Sequence, residues 1–272
     1  MKIVFFGVGA VCSVMATLLD ELSNKSKQKD INFIFVVRNI KKAQAHFFKN
    51  SNVLNKSDFL EIKHFEEIFE DSKKYENYLR NSDIFINSST PSFNLPIMNL
   101  ALKYNTNYAD LASDIYKDEI ISTLKFDQQN LENEFKYKNL FALINLGISP
   151  GITNFLIGEK IHSLKNLPYE VKIKKLEINL LEEIQSKKLI FSWSPKVAID
   201  ELAFPPVFYK KNRPKTIEPF SKSKVYKFPY FRNFVDIYPV FQEELISLKQ
   251  SFPQIENLKL FVGGSEIELM KN

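Results

Sequence analysis

Gly7 and Gly9, Arg38, the pair Tyr108 and Asp110, and the turn Ser149-Pro150-Gly151 have types and spacing that could do chemistry. Gly7-Val8-Gly9 follows at once on the apolar run Lys2-Ile3-Val4-Phe5-Phe6 and precedes residues 10–19, which carry apolar side chains at helical spacing. Gly7 would permit a tight strand-to-helix turn, and Gly9 would let backbone approach a pyrophosphate with no Cβ in the way. The free N–H groups of the helix start, at Ala10 and Val11, would hold the phosphate charge. Cys12 stands where the third glycine of a dinucleotide fingerprint is usual, a position that serves helix–strand packing rather than phosphate contact.

A second apolar run, residues 31–37, ends in Arg38-Asn39. An acid near this point binds the ribose 2′-hydroxyl of NAD, whereas a cation accommodates the 2′-phosphate of NADP. Residues 36–39 hold no acid, so NADP(H) is the expected cofactor, with NAD(H) the alternative and a surface arginine the bland reading. The run at 82–90 reads as a buried strand entering a polar turn, which puts Asn87, Ser88 and Ser89 beside the nicotinamide ribose. Tyr108 and Asp110, two apart on a strand, share one face. Asp110 could orient a substrate amine or take part in proton transfer, or serve only as a turn or helix-cap aspartate.

These residues need a scaffold, and the chain spells one. Strands are expected near 2–6, 31–37, 59–62, 82–90, 108–112 and 140–146, with helices over 10–19, 39–50, 66–80, 91–104 and 115–135. This is an α/β alternation, a doubly wound parallel sheet of Rossmann type over residues 1–148. Ten of the twelve prolines lie from Pro150 onward, where β-like runs at 171–181, 189–193, 207–209, 225–228 and 235–238 take over. A mainly antiparallel α+β second domain is expected over residues 149–272. Residues 3–19 could instead be a secretion-signal core with Cys12 as a lipid site. Only Lys2 precedes them, however, Val11 is large for a cleavage site, and Ser13 and Thr17 interrupt a run too short to span a membrane.

Composition excludes several function classes. A single cysteine rules out internal disulfides and suits a reducing, cytoplasmic compartment. His46, His64 and His162 are scattered, so no metal site is expected. The net charge of +5 comes from lysines dispersed among acids, which predicts a solvated surface rather than a nucleic-acid or membrane partner.

The ordered set of motifs resembles the saccharopine dehydrogenase-like family, on the side of saccharopine reductase and carboxynorspermidine dehydrogenase. The matching stretches are Gly7-Val8-Gly9-Ala10-Val11 with Val37-Arg38-Asn39, residues 83–87 with Leu95-Pro96-Ile97-Met98, and Tyr108-Ala109-Asp110-Leu111-Ala112. Residues 147–154, Phe191-Ser192-Trp193-Ser194-Pro195, residues 198–202 and Pro205-Pro206-Val207 follow, so the likeness runs nearly the whole chain. It implies an NADP(H)-dependent oxidoreductase that makes or splits the secondary amine of an amino acid or polyamine, acting as a homodimer. Pro150, Gly151 and Asn154 would face the nicotinamide and substrate, with Trp193 and Ser194 from the second domain. Arg213 or Arg232 would clamp a carboxylate, unless each is a plain surface arginine.

Three departures from the family pattern stand out. Ser149 replaces an aspartate, Phe241-Gln242 replaces a histidine-containing pair, and the chain stops short of a terminal segment that returns to the first domain. Homospermidine-synthase-like NAD chemistry and a non-catalytic nucleotide-binding sensor or subunit are the rival readings.

Overall fold

A computed structural model describes residues 1–26, 30–48, 51–115, 123–183 and 194–271. The chain divides into two compact units, Met1–Asp114 with Phe126–Gly147, and Ile115–Lys125 with Ile148–Asn272.

In the first unit, β1 (Lys2–Phe6), β2 (Asn32–Val37), β3 (Ser57–Glu61), β4 (Ile84–Asn87), β5 (Asn107–Asp110) and β6 (Ala142–Leu143) form one parallel sheet in the order β3-β2-β1-β4-β5-β6. The apolar runs are continuous because both faces are covered. Val4, Phe6, Ile34, Val36, Phe85 and Tyr108 pack on one side, while Ile3, Phe5, Phe33, Phe35, Val37 and Ile86 pack on the other. Each fully buried phenylalanine contributes roughly 2 kcal/mol. Cys12 and Ala16 of α1 (Ala10–Ser26) join the second face with Ala43 of α2 (Ile40–Gln44). The first face takes Ile68 of α3 (Glu66–Glu70), Leu79 of α4 (Glu76–Leu79), Ile97 of α5 (Asn94–Tyr104) and Phe135 of α6 (Glu132–Tyr137).

Several elements differ from the sequence expectation. The helix expected over 66–80 is broken at Asp71 into α3, a 3-10 turn and α4. Tyr104 Oη donates to the Ser72 carbonyl at 2.9 Å, taking an acceptor that a continuous helix would use itself. The helix expected over 115–135 is interrupted by the left-handed Leu124 and a 3-10 turn over Asp127–Leu131, and residues 116–122 lie outside the described ones.

In the second unit, β10 (Lys224–Tyr226), β11 (Val235–Pro239), β12 (Asn257–Gly263), β8 (Val207–Lys210) and β9 (Arg213–Thr216) pair antiparallel in that order. β7 (Lys175–Leu181) runs parallel to β12 along its whole length, so the sheet is antiparallel apart from one ladder. Among the described residues the helices α7 (Ile152–Lys165), α8 (Pro195–Ala203), α9 (Glu243–Ser251) and α10 (Ser265–Lys271) accompany it. The β-run expected at 189–193 lies outside the described residues. Among the described residues no helix is long and apolar enough to cross a membrane.

Candidate functional site

The strand order reverses direction between β1 and β4, and in open α/β sheets the crevice for a ligand lies at the carboxyl ends of such strands. Gly7 leaves β1 with φ of +92°, and a Cβ there would stand 2.8 Å from the Ser89 Cβ, so only glycine lets the turn lie against β4's end. Ser88 Oγ donates to the Gly7 carbonyl at 2.7 Å and closes that junction. A Cβ on Gly9 would meet nothing within 4 Å, so the space over the helix start is open. Ser13 N donates to the Gly9 carbonyl at 3.0 Å, leaving the N–H groups of the first turn without intrahelical partners. This open cradle at the end of a 17-residue helix fits a dinucleotide pyrophosphate. Burial pushes the Cys12 thiol up to about 12, so it is an inert packing group.

Arg38 is exposed immediately beyond β2. Asn39 caps α2, its side chain accepting from Lys42 N at 2.9 Å. An acid absent from the sequence expectation stands nearby: Glu61 pairs with Val37 in the ladder, and its Oε2 accepts from Ile40 N at 2.8 Å.

Under the ends of β4 and β5 lies a buried polar net. Asn94 Oδ1 accepts from Asn87 Nδ2 at 2.6 Å and from Tyr108 Oη at 3.0 Å, while Asn94 Nδ2 donates to the Ala112 carbonyl. Asn87 Oδ1 accepts from the backbone N–H and the hydroxyl of Ser89. Asp110 is 1% exposed and accepts from Gln128 Nε2 at 2.6 Å and Asn145 N at 2.8 Å. Burial raises its carboxyl to about 7 against those hydrogen bonds, and burial, with the neighbouring Asp110 carboxylate adding to it, holds the Tyr108 hydroxyl well above the usual phenol range. Asn87, Ser88, Ser89, Tyr108 and Asp110 are thus brought together, and their side chains are engaged with one another or with nearby chain. Gln128, Asn145 and Asn94 belong to the same net; nothing in the local sequence marks them, because their partners lie 7 to 35 residues away.

In the second unit the turn before α7 contains a cis Ser149–Pro150 bond and Gly151 at φ +130°. Asn154 Oδ1 accepts from Gly151 N at 3.1 Å and its Nδ2 donates to Ser247 Oγ at 2.8 Å, so this side chain closes the turn and ties it to α9. Ser149 meets Gln242 and Glu244, which places two of the departures from the family pattern in one hydrogen-bonded group. Ser194 precedes α8, while Arg213 on β9 and Arg232 between β10 and β11 are exposed. Trp193 lies outside the described residues. Among the described residues no group of three metal-ligating side chains is close enough to hold an ion.

In fold, the chain is similar to saccharopine dehydrogenase (L-Glu forming) from Saccharomyces cerevisiae, with a TM-score of 0.67 and 18% identity over 96% of this chain and 54% of that one. It is also similar to the homospermidine synthase of Legionella pneumophila, determined in complex with NAD, with a TM-score of 0.61 and 14% identity over 97% of this chain and 64% of that one. The chain therefore spans little more than half to under two thirds of the length of these proteins. No curated protein matches it in sequence. The model of the saccharopine dehydrogenase NADP-binding domain matches residues 3–143, which take in the glycine turn, the six strands of the parallel sheet and all of the buried net except Asn145, and the chain belongs to that family.

Proposed function

We propose that this chain acts as an NADP(H)-dependent oxidoreductase at the C–N bond of a small amine or amino acid, reducing an imine or oxidising a secondary amine. The observation that carries the reading is the cradle itself: Gly7 pressed against Ser89, open space over Gly9, and the free helix start at the point where strand order reverses. The backbone N–H groups at Ala10 and Val11 would hold the pyrophosphate, and Arg38 would fork onto a 2′-phosphate. A bound nicotinamide would supply the hydride chemistry. Tyr108 and Asp110 are too buried to touch a substrate directly; their part is to hold the 87–94 and 145 turns in place and to keep a proton-exchanging group near neutrality beneath them. A homodimer in the cytoplasm completes this reading.

Glu61 favours the neighbouring alternative, NAD(H), because a carboxylate beside the end of β2 offers an acceptor to ribose hydroxyls. Titration with NADPH and NADH at matched concentrations, followed by thermal stability, separates the two. A ligand bound only by the native state adds about 2.7 kcal/mol at one hundred times Kd. An NADPH-selective shift supports the reading and leads to screening amine–aldehyde pairs. An NADH-selective shift moves the assignment to NAD, and no shift with either overturns it in favour of a scaffold without nucleotide.

A further inference from the structure

We propose that Glu244 is a buried neutral acid that supplies a proton, through the Ser149 hydroxyl, to the nitrogen of the substrate class proposed above. The inference rests on that reading of function for its substrate, and on the second unit alone for its geometry.

Glu244 is fully buried in the first turn of α9. Its Oε1 accepts from Thr153 Oγ1 at 2.6 Å and lies in hydrogen-bond contact with Ser149 Oγ, while its Oε2 is buried with no partner. Ser149 Oγ is also 3.1 Å from Gln242 Oε1, and Gln242 Nε2 donates to Glu201. A serine hydroxyl has one proton to give. Gln242 Oε1 has none, so the contact between Ser149 and Gln242 uses the serine's proton. The contact between Ser149 and Glu244 then takes its proton from Glu244. A chain of donors follows, from Glu244 to Ser149, from Ser149 to Gln242, and from Gln242 to Glu201.

Burial favours the same state, raising Glu244 against its hydrogen-bond contacts with Ser149 and Thr153. Glu201 is raised as well, by burial first and then by the charges of Glu182 beyond the end of β7 and Glu243 on α9. The dipole of α9 weakly favours an anion in its first turn. Burying a carboxylate with one oxygen unpartnered costs more than that dipole returns, so the neutral form wins.

Ser149 is half-buried, whereas Glu244 is not exposed at all, so the serine is the outlet and the acid is a positioning residue behind it. The step balances in protons. The Ser149 O–H turns from Gln242 Oε1 to the substrate nitrogen and gives up its proton there, the Glu244 proton passes to Ser149 Oγ, and the carboxylate that remains regains one proton from solvent by way of the Ser149 hydroxyl.

Infrared difference spectra of wild type against Glu244→Gln at pH 7 read the acid directly. The carbonyl band of a protonated carboxylic acid is expected in wild type and lost in Glu244→Gln. A band that survives there and disappears in Glu201→Gln places the proton on Glu201 and overturns the proposal. Ser149→Ala should keep the band yet lower kcat for imine reduction about tenfold or more, with KM little changed and the alkaline fall in rate altered. Unchanged kcat and pH profile in Ser149→Ala would overturn the delivery step while leaving the functional reading intact. If the wild type binds nucleotide but turns over no amine–aldehyde pair, the functional reading and the delivery step fall together, and the infrared band still decides the state of Glu244.

Discussion

At the scale of single residues, the two glycines of the turn have different reasons to be there. Gly7 combines a positive φ with a neighbour 2.8 Å from any added Cβ, so Gly7→Ala should cost about 2–3 kcal/mol in urea unfolding, with nucleotide present or absent. Gly9→Val meets open space, so it should leave stability within about 1 kcal/mol while abolishing the thermal shift produced by nucleotide. Arg38→Asp should weaken NADPH at least tenfold more than NADH; equal weakening would mean that the guanidinium does not read the 2′-phosphate. Asp110 carries a pH dependence of definite sign. Its folded form holds a proton that the unfolded chain releases near pH 4, so its contribution to stability is complete below pH 4 and is lost as pH rises through about 7. Asp110→Asn should remove that fall, worth roughly 4 kcal/mol, and flatten the stability profile between pH 4 and 7.

At the scale of elements, α1 is turned the opposite way from what its composition suggests. Val11, Val14, Leu18 and Leu22 form an exposed stripe, while Cys12, Ser13, Ala16, Asp20 and Ser23 are buried. Small residues face the sheet because the phenylalanines of β1 and β2 already fill the space beneath the helix. Ala16→Leu should therefore destabilise by about 1–3 kcal/mol through overpacking, whereas Leu18→Lys on the outer stripe should change stability by less than about 0.5 kcal/mol. Equal effects in chemical denaturation would show the helix to be seated differently. Hydrophobic periodicity finds such a helix but assigns its faces wrongly, since it assumes that the larger apolar residues go inward.

At the scale of the whole molecule, the two units have separate cores and separate sheets. Calorimetry is expected to resolve two transitions, with NADPH moving only the one that belongs to the nucleotide-binding unit. A single transition shifted as a whole would instead show the units to be energetically coupled. Residues 3–143 match one family domain, and the fold of the remainder follows longer proteins over part of their length, so the nucleotide chemistry and the substrate chemistry are tested by separate experiments.

The sequence by itself determined the parallel sheet, its glycine turn and the family, because each of these is encoded locally. A strand buried on both faces must be continuously apolar, a turn at positive φ pressed against a neighbouring strand end, as at Gly7, must be glycine, and both signals fit within a dozen residues. Only the tertiary structure decided how the polar residues are used. Tyr108 and Asp110 are recognisable as a pair on one strand face, yet their burial comes from Asn94, Gln128 and Asn145, which other elements deliver. Ser149 reads in sequence as a lost charge. In the fold it meets Glu244, 95 residues away, and a hydrogen bond over that separation leaves no periodic trace in the chain. Helices α7 and α9 leave no such trace for a related reason. The buried face of α9 carries Glu243, Glu244 and Lys249 among its leucines, and α7 exposes Ile152, Phe155 and Leu156, so neither shows the apolar inner stripe by which a helix is recognised.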